Sequence, residues 1–159
     1  MLTSTLSSLL TLSALTLASP LQPQARQIAI PSAWTWSVSE WEAGCGRNYC
    51  SYIFNITVPS VHENGVDIAG VKAECSGGLS DQKFQACKIL EGVNNGVAAT
   101  FVDPREGLAP ANIAVSFLYA GFEDRPSYNF SGKHEAIHNA AVAPLQTFEI
   151  CPTEVFGVV

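Results

Sequence analysis

The chain has 159 residues, enough for one domain with a real core and short for two. Its 14 acidic against 8 basic residues give a net charge of −6, which repels phosphate backbones and anionic lipid and argues against nucleic acid and membranes as partners. Five cysteines without a Cys-x-x-Cys spacing argue against zinc ribbons and thioredoxin-type redox chemistry.

The chain opens on an apolar segment, Leu6 to Leu17, free of charged residues and followed by Ala18-Ser19-Pro20. It is short for a bilayer span and ends in small residues, so residues 1–18 read as a secretory signal peptide. Residues 19–26 are polar and end on Arg26, the first basic residue, and read either as a pro-segment or as a tail that stays attached. The remainder, residues 27–159, reads as a single secreted domain. It keeps 7 basic and all 14 acidic residues, a net of −7.

Trp34, Trp36 and Val38 alternate with Thr35, Ser37 and Ser39, which predicts a first strand ending near Trp41; Trp41 itself falls off that phase. Glu42 to Tyr49 reads as a loop. From Cys50 to Val58 the even positions Cys50, Tyr52, Phe54, Ile56 and Val58 are apolar, while the odd positions Ser51, Asn55 and Thr57 are polar, Ile53 excepted, the pattern of a half-buried strand. Asn55-Ile56-Thr57 is an N-glycosylation sequon whose asparagine falls on the polar face. A turn at residues 61–65 carries Asn64-Gly65. The returning strand changes phase between Ile68 and Val71 at Gly70, which predicts a β-bulge. Cys75 and Cys87 enclose a segment of turn composition and are expected to pair. A second disulfide is expected between Cys151 and either Cys45 or Cys50, leaving the odd cysteine free or linking two chains.

Further strands are expected at Val97–Phe101, Ile113–Tyr119, around Tyr128 and Phe130, at Phe148–Ile150 and at Val155–Val159, with a turn at Asp103–Gly107. Asn129-Phe130-Ser131 is a second sequon, its Asn129 opposite in phase to the flanking aromatics. About seven short strands divided by turn residues predict an all-β fold: a disulfide-stabilised antiparallel barrel or sandwich. The three tryptophans read as core and rim aromatics rather than a sugar platform, with Trp41 the one to watch.

One motif suggests chemistry. His134-Glu135-Ala136-Ile137-His138 satisfies H-E-x-x-H, and Lys133 to Ala143 is compatible with a helix. On a helix both imidazoles would share a face and could hold zinc while Glu135 activates its water. The third ligand would have to come from Glu149, Cys151 or Glu154. The competing reading is a polar loop or short helix with two solvated histidines, and with it no metal, cofactor or catalytic residue. Paired carboxylates such as Glu40 and Asp67 are a further candidate for hydrolytic work.

Trp36-Ser37-Val38-Ser39-Glu40-Trp41, Arg47, the Tyr52-x-Phe54-Asn55-Ile56 strand and the Cys75…Asp81…Phe84…Cys87 spacing resemble the small secreted fungal proteins typified by the Alternaria major allergen. Ala25-Arg26-Gln27 after the leader is similar too. The resemblance spans roughly residues 34–90. It implies a compact β-barrel, often a dimer, that acts without enzymatic activity as an allergen, elicitor or effector binding plant defence proteins. The expected partner is then a host or cell-wall protein, with a homodimer through the odd cysteine. The cysteines depart from the family pattern, with Cys45 and Cys50 close together and Cys151 alone near the carboxy terminus.

Overall fold

The computed structural model describes residues 29–46, 49–63, 66–78, 83–102, 111–121, 127–138 and 145–158. The expected signal peptide, the segment 19–26, the turn residues Asn64 and Gly65 and the turn at Asp103–Gly107 lie outside them. Twelve strands occur among the described residues: β1 (Trp36–Cys45), β2 (Cys50–Val58), β3 (Val61–Glu63), β4 (Val66–Ile68), β5 (Val71–Gly78), β6 (Gln85–Ala86), β7 (Lys88–Glu91), β8 (Asn95–Val102), β9 (Ala111–Tyr119), β10 (Ser127–Ala136), β11 (Gln146–Ile150) and β12 (Pro152–Val158). They form two antiparallel five-stranded sheets, ordered β11-β1-β2-β5-β7 and β12-β10-β9-β8-β6, and a two-stranded ribbon, β3-β4. The expected all-β architecture is therefore a sandwich. The chain crosses from one sheet to the other between β11 and β12 through Cys151 alone.

Alternation decides which residues meet between the sheets. Trp36, Val38, Tyr52, Phe54, Ile56, Ala73 and Cys75 come from one sheet, and Val97, Ala99, Phe101, Ile113, Val115, Phe117 and Phe130 from the other, all nearly fully buried. Most of the aromatic rings pack edge-to-face or tilted, as in Trp34 against Phe130 at 5.0 Å and Tyr52 against Phe101 at 5.1 Å, while Trp41 stacks on Tyr52 and Phe117 on Phe130.

β1 does not stop near Trp41 but runs on to Cys45, in place of most of the expected loop. Its pairing slips with both neighbours at one point, between Ser39 and Glu42 against β2 and between Val38 and Trp41 against β11. Glu40 sits there with φ of 55°, the left-handed conformation that lets one extra residue bulge out of a ladder. The extra residue resets the phase. Trp41 therefore points inward like Trp36 and Val38, and its odd spacing in the sequence is the record of the bulge.

The predicted bulge at Gly70 is not there. β2 and β5 pair without a slip from Ser51↔Gly78 to Val58↔Val71, and the phase change before Val71 arises because Val66–Ile68 belongs to the separate ribbon. Gly70 is required for a different reason: a Cβ there would lie 2.7 Å from the Val58 carbonyl oxygen, where the ribbon rejoins the sheet.

Candidate functional site

Of the H-E-x-x-H residues, His134, Glu135 and Ala136 are on a strand, and Ile137 and His138 lie just beyond its end. β10 pairs with β9 without interruption from Tyr128↔Tyr119 to Ala136↔Ala111, and that ladder overrides any helical tendency of residues 133–136. The expected helix over Lys133–Ala143 is thus corrected as far as Ala136; residues 139–144 lie outside the described part. Extended backbone rises about 3.3 Å per residue and turns successive side chains to opposite faces, so residues 134–136 lack the helical turn that would bring i and i+4 onto one face. His134 is half-buried and stacks flat on Phe148 of β11, with ring centroids 4.2 Å apart. Glu135 is exposed and, by the alternation of the strand, faces the opposite way.

His138 lies in irregular chain, as the competing reading expects, but it is not solvated. It is 1% exposed, just beyond the end of β10, and neither ring nitrogen has a hydrogen-bond partner among the described residues. Beside it the Ile137 carbonyl accepts a hydrogen bond from Trp41 Nε1 at 2.8 Å, which ties β10 to the first sheet. Of the expected third ligands, Glu149 and Cys151 are exposed, and Glu154 accepts a hydrogen bond from Ser131. Among the described residues no three His, Cys, Asp or Glu side chains converge. Glu40 and Asp67 are each engaged locally, Glu40 by Asn55 at 2.6 Å and Asp67 by His62 at 3.1 Å across the ribbon.

Cys75 and Cys87 are bonded, as expected. The second bridge is a correction: Cys45 joins Cys50, and Cys151 carries the exposed free thiol. The continuation of β1 explains it, because the β1–β2 hairpin places Cys45 and Cys50 directly opposite each other, with Cα atoms 3.9 Å apart. Cys151 sits instead at the crossover between sheets. There Gly132 lets β10 approach closely, since a Cβ on it would lie 2.7 Å from the Cys151 carbonyl oxygen.

All three tryptophans are buried, Trp41 included, so they serve as core. Tyr52 is buried with them. Its hydroxyl donates to the Ala99 carbonyl at 2.8 Å, joining the sheets, and desolvation pushes its pKa up to about 12.

Both sequons lie on outer faces. Asn55 has Ser39 and Glu74 as cross-strand neighbours, and its Nδ2 donates to Glu40. Asn129 has Leu118 on one side and Phe156 on the other, both exposed, and its Oδ1 accepts from Ser116 Oγ at 2.7 Å. Sequence reasoning passed over this apolar pair. The signal was present, because Leu118 and Phe156 fall on the outward phase of β9 and β12.

The class that these observations define is a small all-β protein with two disulfides in a two-sheet sandwich. The chain matches no protein-family model, no curated protein and no solved structure.

Proposed function

We propose that the protein is a secreted, non-enzymatic interaction protein of the allergen, elicitor or effector kind, acting on a host or cell-wall partner through its surface. The observation that carries this reading is how the chain uses its chemistry-bearing residues. Four cysteines staple strands, three tryptophans fill the core, and the H-E-x-x-H residues run off the end of a strand with one imidazole stacked and the other buried. Disulfides in a small β domain suit an oxidising, extracellular setting. The resemblance of residues 34–90 to the secreted fungal allergens supports the same reading. Cys151 is then the thiol available for a link between two copies.

The test uses protein secreted from the full-length chain. Saturable binding to host extracellular proteins or wall polysaccharide, unchanged by chelator and by His134→Ala, is the expected result. Peptidase activity with one tightly held zinc per chain, lost in Glu135→Gln, would overturn the reading. Intact mass without reductant shows whether Cys151 joins a dimer.

A further inference from the structure

We propose that Asn129 carries an N-linked glycan whose first N-acetylglucosamine packs on Phe156 and Leu118, making the sugar a structural cover for an apolar strip on the second sheet. The inference rests on the secretory part of the reading above and not on any partner.

The strip is defined by register. Leu118 of β9, Asn129 of β10 and Phe156 of β12 stand directly opposite one another, so they form one row across the outer face. Opposed residues in antiparallel pairs hold their Cβ atoms about 5 Å apart, within reach of one sugar ring. Leu118 is 41% and Phe156 58% exposed, in a sheet whose outer face elsewhere carries polar Ser116, Ser131, Lys133 and Glu135 and the small Ala98 and Ala114. Two large apolar side chains bracketing a sequon asparagine are an apolar floor with a single attachment point between them.

The amide is also held. Its Oδ1 accepts from the Ser116 hydroxyl on the β9 side, a bond that does not use Nδ2, the atom that takes the sugar. A pyranose presents C–H groups on its face, and these suit the electron-rich face of an aromatic ring. Asn55 provides the internal contrast. Its row neighbours Ser39 and Glu74 are polar and its Nδ2 already donates to Glu40, so a glycan there has no apolar floor.

The modification is a group transfer completed before the sheet closes. Asn129 Nδ2 attacks C1 of the first sugar of a lipid diphosphate-linked oligosaccharide. The N–C1 bond forms, the C1–O bond to phosphate breaks, and the lipid diphosphate leaves while the amide gives up one proton. Nδ2 keeps one N–H, and Oδ1 keeps its bond from Ser116.

The experiment produces the full chain in a eukaryotic secreting host and maps occupancy by peptide mass spectrometry on protein from medium and cells. Thermal midpoints are compared for wild type, Asn129→Gln, Asn55→Gln, Phe156→Ser and Leu118→Ser. Asn129 is expected to be occupied, and Asn129→Gln to lower the midpoint by roughly 3 °C, the scale of one modest apolar contact in a domain of this size. Trimming to a single N-acetylglucosamine should leave the midpoint in place, and Asn55→Gln should not move it. In the Phe156→Ser or Leu118→Ser background, the cost of Asn129→Gln should shrink. Unmodified Asn129 overturns the proposal, as does a glycan effect indifferent to both apolar substitutions. Association of the glycosylated protein that Phe156→Ser abolishes would make a second copy the occupant and also overturn it.

Discussion

Trp36 and Trp41 make a controlled comparison, since both are buried aromatic anchors of the same strand and differ in what their indole N–H meets. Trp41 Nε1 donates to the Ile137 carbonyl at 2.8 Å, whereas Trp36 Nε1 is buried without an acceptor among the described residues. Replacing either by Phe vacates a similar volume, at a cost of about 1–2 kcal/mol. In Trp41→Phe the lost hydrogen bond adds about 1 kcal/mol. In Trp36→Phe the substitution removes an unpaired buried donor, which returns about 1–3 kcal/mol of desolvation penalty. Trp36→Phe should therefore fall near neutral and Trp41→Phe should destabilise by about 2–3 kcal/mol. Urea unfolding followed by far-ultraviolet circular dichroism reads the difference without depending on tryptophan emission, and equal m values are required for the comparison. Equal midpoints, or a lower one for Trp36→Phe, would refute the reasoning and mean that the ring faces around Trp36, Trp34 at 5.7 Å and Phe117 at 6.1 Å, satisfy its N–H.

The other outcomes concern Tyr52, the disulfides and His138. Tyr52 titrates near 10 in the unfolded chain and near 12 when folded, so the folded state holds its proton more tightly; the stability it confers is complete below pH 10 and is lost as pH rises to 12. In a Cys151→Ser background, alkaline unfolding should show wild type losing about 2–3 kcal/mol more than Tyr52→Phe across that window. Removing Cys75–Cys87, which spans 12 residues, should cost about 3 kcal/mol, and removing Cys45–Cys50, which spans 5, about 2 kcal/mol, read from denaturant midpoints of the paired Cys→Ser variants. His138→Leu discards two ring nitrogens that have no partner among the described residues and should leave stability unchanged or raise it by about 1 kcal/mol; a loss above 2 kcal/mol would reveal a partner for the imidazole.

How far the sequence could be read depended on whether one strand carried its own signal. β2 and β9 each carry an unbroken apolar phase and read directly as strands with a known inner face, although Ile53 and Leu118 put apolar side chains on the outer one. β1 could not be read to its end, because Glu40 inserts a residue and phase is then no longer counted from Trp36; only the off-phase Trp41 betrayed it. The misassigned disulfide follows from that one residue. With a loop expected over 42–49, Cys45 fell in a coil and Cys50 at the start of the next strand, yet a strand continuing past the bulge sets them opposite each other in a hairpin. The H-E-x-x-H segment was misleading for a related reason. Helical spacing is a property of local sequence, whereas the conformation of residues 133–136 was decided by nine consecutive pairings with β9, and ladder hydrogen bonds formed across sequence distance outweigh a propensity of a few tenths of a kcal/mol per residue. Asn129 lies between these cases. Its sequon and outward phase were visible in the sequence, but its apolar flanks come from two other strands, and only the register of β9 and β12 places Leu118 and Phe156 on either side of it.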